Sequence, residues 1–156
     1  MTASKQGITP FLWFDGDVEE VMNFYLSVFK DGQVHSVHRP APGKPAQSAT
    51  FTLRGQRLHA FNGGPHYRFT PAISLFVDCE TQAEVDELWA KLSAGGAESR
   101  CGWLQDKHGL SWQIVPTILV KLLRDKDPVK AGRAMQAMLQ MGKLDIARLQ
   151  QAYDGA

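Results

Sequence analysis

Cysteine is scarce in this chain. Two occur in 156 residues, Cys79 and Cys101, and neither has a C-x-x-C partner. A disulfide framework is therefore not expected, and a reducing cytoplasm suits the composition. Long apolar runs are missing too. No stretch of about 18 apolar residues occurs, so no membrane-spanning helix is expected. The opening MTASKQGITPF lacks an apolar signal core, which argues against export. Charge of one sign is absent: the formal net charge is +1, so nothing global favours nucleic acid or an anionic membrane. No GxxxxGK[ST], strand-linked GxGxxG or HExxH motif is present. The hydrophobic fraction of 44% is that of a globular protein.

What is present is a repeat. Sliding the sequence over itself by 64 residues brings Asp17 onto Thr81, Glu20 onto Glu84, Val21 onto Val85, Tyr25 onto Trp89 and Gly32 onto Gly96. The apolar segments ahead of these register as well, with Phe11 on Leu75, Leu12 on Phe76 and Trp13 on Val77. Two copies of a strand followed by a capped helix constrain the fold more than any single motif.

The first copy reads as a strand over 8–14 and a helix opened by Asp17, with Glu20 in capping-box spacing. Val18, Val21, Met22, Tyr25, Leu26 and Phe29 form one apolar stripe. Three strands follow at 33–39, 48–53 and 56–62. Asn62-Gly63-Gly64-Pro65 then breaks the chain. In the second copy, Ile73, Leu75 and Val77 are expected to face the second helix. Thr81 caps that helix, Val85, Leu88, Trp89 and Leu92 form its stripe, and Gly95-Gly96 end it. Strands near 99–105 and 110–115 flank an Asp106-Lys107-His108-Gly109 turn, and one strand of this shorter copy reads as vestigial. Beyond it, Asp127 caps a helix with Pro128 at its first position. Ala131, Ala134, Met135, Met138 and Met141 recur at helical spacing, and Ile146, Leu149 and Tyr153 mark a last helix.

Candidate chemistry is sparse. His35 and His38 sit three apart on a strand and so face opposite sides. His59 and His66 straddle a loop, and His108 lies in a turn; we read all five histidines as unrelated. Cys101 is a candidate nucleophile with His108 as the nearest base in sequence, set against a small structural cysteine. Asn62-Gly63-Gly64-Pro65 offers backbone N–H groups to an anion, or simply a turn. Strand parity turns Trp112 and Ile114 to a helix, and Ser74, Ser111 and Gln113 to the other face. Those three, with Cys101 and Trp103 near the rim and Asn62 at the edge, are the expected ligand pocket.

The segments ITPFLWFDGDVEEVMNFY, FNGGPHYRF, ISLFVDCETQAEVDELW, LSAGG, CGWLQDKHGLSWQIVP and MQAMLQMGKLDIARLQQAY resemble the PhnB-like branch of the vicinal oxygen chelate superfamily. Glyoxalase I, fosfomycin-resistance proteins, bleomycin-binding proteins and extradiol dioxygenases belong to that superfamily. Members of the branch are often labelled 3-demethylubiquinone-9 3-methyltransferase domain proteins. The resemblance implies an α+β fold: two βαβββ modules forming a cupped mixed β-sheet, with a C-terminal helical tail. The divisions would fall at 1–66, 67–116 and 117–156. Metal-dependent members carry four ligands, whose places fall on Pro10, near Leu58, on Ala72 and on Gln113. Three of these side chains have no donor atom.

The resulting expectation is a cytoplasmic homodimer that binds a small organic molecule in a cup between its modules. It would use no metal or other cofactor and contact neither nucleic acid nor membrane. The tail would bury its stripe against the partner or the modules. The alternatives are a metal-dependent lyase, isomerase or dioxygenase, a thiol enzyme using Cys101, and a drug-sequestering resistance protein. A methyltransferase is not expected, since the Gly-rich loop of the usual SAM-binding fold is missing.

Overall fold

The computed structural model describes residues 7–156. The described residues divide into two compact units, one ending at Arg68 and the other starting at Phe69.

The first unit runs β1 (Phe11–Phe14), α1 (Val18–Val28), β2 (Gln33–His38), β3 (Ser48–Leu53) and β4 (Gln56–Asn62). The strands form one sheet in the order β1-β4-β3-β2, with β1 parallel to β4 and the other pairs antiparallel. Alternation sorts the side chains. Leu12, Phe14, Ala49, Phe51, Leu53, Leu58 and Ala60 are buried on one face, beneath Val18, Val21, Met22, Tyr25 and Val28 of α1. Asp17 Oδ1 starts the helix by accepting the Glu19 N–H at 2.9 Å. Gly32 leaves room where the chain leaves the helix, because a Cβ there would press on the Leu26 side chain and the Phe29 carbonyl.

The second unit repeats the order: β5 (Ser74–Cys79), α2 (Gln82–Ser93), β6 (Ala97–Glu98), β7 (Trp103–Gln105) and β8 (Ser111–Pro116). Its sheet is β5-β8-β7-β6, again with one parallel pair, β5 with β8. Val85, Leu88, Trp89 and Leu92 of α2 are buried, as their spacing predicts. The Thr81 hydroxyl accepts the Glu84 N–H at 3.2 Å. The Glu84 carboxylate reaches the N–H of Glu80, one residue before the cap.

The 64-residue register holds for the helices and caps but not for the strands. The buried pairs are Leu12 and Phe14 in β1, and Val77 and Cys79 in β5. Matching them needs a shift of 65, so Phe11 corresponds to Phe76 and not to Leu75. The cause is the connection into the helix: Asp15-Gly16-Asp17 in the first unit, Glu80-Thr81 in the second. Ile73, expected to face α2, precedes β5 and is 54% exposed. Of the strand expected over 99–105 only β7 forms, and β6 lies ahead of that range. Cys101 and Gly102 lie between them with φ of 59° and 84°, and consecutive left-handed residues cannot continue a strand. β6 keeps only two residues, so the vestigial strand lies there.

The turn at Asp106 is built on a buried carboxylate, 2% exposed. Its Oδ1 accepts the N–H groups of His108 (2.8 Å) and Leu110 (3.1 Å), and Oδ2 accepts the Trp112 indole N–H at 2.8 Å. Such satisfaction permits an ionisable group in a core.

The tail belongs to the second unit. It forms α3 (Thr117–Leu123), α4 (Pro128–Leu139) and α5 (Ile146–Asp154). Asp127 caps α4 through the N–H groups of Val129 and Lys130. Leu119, Leu122, Ala134, Met141, Leu144 and Leu149 bury themselves around Val115 of β8. Val115 alternates with Gln113 and so lies opposite α2, which puts the tail over that end of the sheet. Gln82 of α2 fastens it, donating to the Leu144 carbonyl at 3.0 Å and accepting the Ile146 N–H at 2.7 Å. The N–H groups of Cys101 and Gly102 donate to the carbonyls of Met141 and Gly142 at 2.8 and 2.9 Å. Across the tail, the Tyr153 hydroxyl donates to Asp125 Oδ2 at 2.6 Å. That bond lowers the Asp125 carboxyl below its ordinary range and raises the Tyr153 phenol above its own.

Leu144 is fully buried, with its side chain against Gly102. Leu144→Ala should lower unfolding free energy by about 2–5 kcal/mol in urea titrations. Gln136→Ala, at an exposed position on α4, should change it by less than about 1 kcal/mol.

Candidate functional site

On each sheet one face is sealed by a helix, and the other presents polar and aromatic side chains. On the second sheet the strand register defines two rows opposite α2. One runs Gln105, Ser111, Ser74; the next runs Trp103, Gln113, Phe76. Gln113 Nε2 donates to Ser74 Oγ at 3.0 Å, joining β8 to β5 across the face. Gln113, Ser74 and Trp103 are half-buried, and Phe76 is 50% exposed. Ser111 is buried. Three expected pocket residues thus share a face with Trp103, and two of them are bonded to each other.

The other two lie differently. Cys101 sits in the left-handed turn ahead of β7, half-buried, its N–H held by Met141. Asn62 ends β4 in the first unit, on the parity of Leu58 and Ala60. Its Oδ1 accepts the Gly16 N–H at 3.1 Å and ties down the connection from β1 to α1.

The first sheet has matching rows. Phe11, His59 and Thr50 lie side by side, and beyond them Trp13, Phe61 and Ser48. Thr50 Oγ1 is 2.9 Å from His59 Nδ1. Trp13 meets Phe61 and Tyr67 edge-on, with ring centroids 5.2 and 4.9 Å apart. Asn62-Gly63-Gly64-Pro65 is the seat of this indole. A Cβ at Gly63 would collide with the Trp13 ring, and Trp13 Nε1 donates to the Gly64 carbonyl at 2.9 Å. The Gly63 N–H donates to the Phe14 carbonyl at 3.0 Å, so it is not open to an anion.

The 65-residue strand shift makes a further equivalence. Phe11 matches Phe76, and their neighbours across the parallel pair are His59 and Gln113. His59, not Leu58, is therefore the first-unit counterpart of Gln113. Leu58 is 1% exposed and faces α1. Sequence reasoning missed His59 because the family alignment that put a ligand place near Leu58 fell one residue out of register. The polar alternation of Arg57, His59 and Phe61 against Leu58 and Ala60 was the available signal.

The places where metal-dependent relatives carry ligands do not fit a divalent ion here. Pro10 and Ala72 have no side-chain donor, Gln113 is a neutral amide bonded to Ser74, and of the four places only the one near Leu58, which the strand register puts on His59, carries a nitrogen donor, too few for a bound ion. Among the described residues no group of three or more His, Cys, Asp or Glu is placed to hold a metal ion.

Comparison with known proteins agrees with the fold. The sequence profile of the family described as 3-demethylubiquinone-9 3-methyltransferase matches residues 6–115. A PhnB protein from Bacillus cereus is 40% identical over 72% of this chain and 100% of its own, with a TM-score of 0.65. A protein from Pseudomonas aeruginosa is 20% identical over 70% of this chain and 96% of its own, with a TM-score of 0.59. A fosfomycin resistance protein from Listeria monocytogenes, solved with Mn(II) and sulfate, is 14% identical over 69% of this chain and 88% of its own, with a TM-score of 0.50. The last two likenesses are of fold alone. A search of the curated proteins finds no match. Two mixed four-stranded sheets, each with one covering helix, and a profile match across both place this α+β chain in the PhnB-like 3-demethylubiquinone-9 3-methyltransferase family, with a fold of the glyoxalase/bleomycin resistance-like kind.

Proposed function

We propose that this PhnB-like protein binds a small organic molecule on the face of the second sheet opposite α2, without a metal at the superfamily positions. One observation carries the reading. Gln113 stands where the family resemblance puts a ligand carboxylate, and it is bonded to Ser74 between Trp103 and Phe76. An amide beside a hydroxyl offers both donor and acceptor, which suits a polar organic group better than a cation. Aromatic side chains on either side supply apolar contact area.

The family description names a methyl transfer, and we do not extend it to this chain. The usual SAM-dependent methyltransferase has a doubly wound sheet and a Gly-rich loop after its first strand. Here the sheets are two mixed sets of four. The connection after β1 is Asp15-Gly16-Asp17, and its Gly16 N–H is taken by Asn62.

Native mass spectrometry of protein from its own host should reveal the co-purified molecule. Gln113→Leu should then weaken its binding by about 1–3 kcal/mol while the melting temperature is kept, because a bound polar group loses its partner. Unchanged affinity in that variant would overturn the assignment of the face.

Elemental analysis should find transition metal well below one ion per chain. About one per chain would instead favour the metal-dependent lyase, isomerase or dioxygenase class.

We also propose a cytoplasmic homodimer. Val129, Met135 and Leu139 stay exposed on α4 after its other side is buried, and an apolar strip of this kind suits a subunit contact. Among the described residues no helix is long and apolar enough to cross a membrane. Light scattering at micromolar concentration should give twice the chain mass, and a monomer would refute the dimer.

A further inference from the structure

We infer that the hollow beside α3 is an anion site, one that takes the phosphoryl group of a small soluble phosphate monoester. It is lined by Val120, Lys121, Arg124, Asp125 and Lys126. All five lie beyond residue 115, where the family profile ends. The site therefore belongs to this chain's tail and not to the shared modules, and it is independent of the reading of Gln113.

The core decides which side of α3 is offered. Leu119 and Leu122 are drawn into the tail cluster, and helical spacing turns Val120, Lys121 and Arg124 the other way. With Asp125 and Lys126 of the next connection they border an open hollow of about 600 Å³. Lys121, Arg124 and Lys126 are exposed. Among the described residues their side chains have no hydrogen-bond or ion-pair partner. Other cations of this unit are held: Lys91 by Glu87, Lys143 by Asp86, and Arg133 by the carbonyls of Ala152 and Tyr153. The dipole of α3 favours cations in its last turn. Lys126 lies past that turn, and its charge beside Lys121 and Arg124 is unfavourable until an anion joins them.

The nearby carboxylates are committed elsewhere. Asp125 Oδ1 accepts the Asp127 N–H at 2.8 Å, and its Oδ2 accepts the Tyr153 hydroxyl at 2.6 Å. Asp127 Oδ1 accepts the N–H groups of Val129 and Lys130. These bonds hold the corner between α3 and α4 in one shape. Lys130, 5.5 Å from the centre of the Tyr153 ring, adds another positive charge. Lys121, Arg124, Lys126 and Lys130 against Asp125 and Asp127 leave a surplus of two positive charges. A phosphate monoester carries about −1.5 to −2 at pH 7, which matches. The guanidinium fork of Arg124 suits two phosphoryl oxygens, and the lysines serve as point charges. The Lys126 N–H, which has no acceptor among the described residues, is a further donor on the same connection. The hollow exceeds a bare phosphate, and Val120 gives the organic part of an ester an apolar contact.

Full-length protein labelled with 15N reports the site through the backbone signals of Arg124, Lys126 and Asp127. Titration with phenyl phosphate should move them saturably, with half-saturation below about 1 mM. Benzenesulfonate, similar in shape but singly charged, should bind at least about fivefold more weakly. Arg124→Gln should weaken phenyl phosphate about fivefold or more, and Lys121→Gln combined with Lys126→Gln about tenfold or more. Arg148→Gln removes an equal charge from an exposed position on α5 and should leave affinity within about twofold of the parent. All these variants should keep the parent melting temperature, since the positions are exposed. Shifts that grow linearly without saturating, equal binding of benzenesulfonate, or parent affinity in Arg124→Gln would overturn the inference. So would protein that ignores phenyl phosphate but sediments with vesicles containing phosphatidic acid, which would assign the corner to a lipid surface. Gln113→Leu should bind phenyl phosphate as the parent does, so failure of either site leaves the other standing.

Discussion

A strand has two sides, and in each unit a single amphipathic helix covers one of them. Everything about the candidate sites follows from which side that is. In the first unit Tyr25 and Val21 press on Phe51 and Leu58, and in the second Leu88 and Trp89 cover the side of Val77 and Ile114. Once those residues are committed to the interior, period-two alternation leaves no freedom for the ones in between. His59, Phe61, Gln113 and Ser74 face away from the helix because their neighbours cannot. Polar side chains there are held by hydrogen bonds across strands, Thr50 with His59 and Gln113 with Ser74, and not by burial.

Much of this frame was legible in the sequence. The caps Asp17, Thr81 and Asp127 chose the helix starts, and the stripes of α1 and α2 chose their buried sides. These are local signals, carried by side chains three or four residues apart. The side of β8 that bears Ser111 and Gln113 could also be read, because Trp112 and Ile114 alternate with them. What could not be read depended on contacts far apart in sequence. The turn at Cys101-Gly102, which delays β7, is held by carbonyls of Met141 and Gly142, some forty residues away. The tie from Asn62 Oδ1 to the Gly16 N–H also spans 46 residues. The alternation of His59 with Leu58 and Ala60 gave its side of the sheet, but its equivalence to Gln113 rests on Phe11 beside it in a parallel pair.

The tail illustrates how local amphipathicity becomes tertiary structure. Its helices are short, and helices of seven to twelve residues are marginal alone. They persist because Leu119, Leu122, Ala134 and Leu149 share one cluster with Val115 of β8. Polar fastenings set the geometry: Gln82 reaches both sides of the loop before α5, and Arg133 donates to the carbonyls of Ala152 and Tyr153 at the end of α5. The second sheet therefore owes its integrity to residues beyond its own strands.

The single extra residue between β1 and α1 bears on the history of the chain. Two modules copied from one ancestor keep the same backbone plan, yet Asp15-Gly16-Asp17 against Glu80-Thr81 slides strand against helix by one position. Duplicated halves of this kind cannot be exchanged by simple cut and paste. A chimera joined inside a strand at a 64-residue offset would turn every following side chain of that strand inside out, whereas one joined within the helix would not. Recombination among relatives should therefore leave its surviving junctions in helices and loops, and the two halves should diverge as linked but separately numbered rulers.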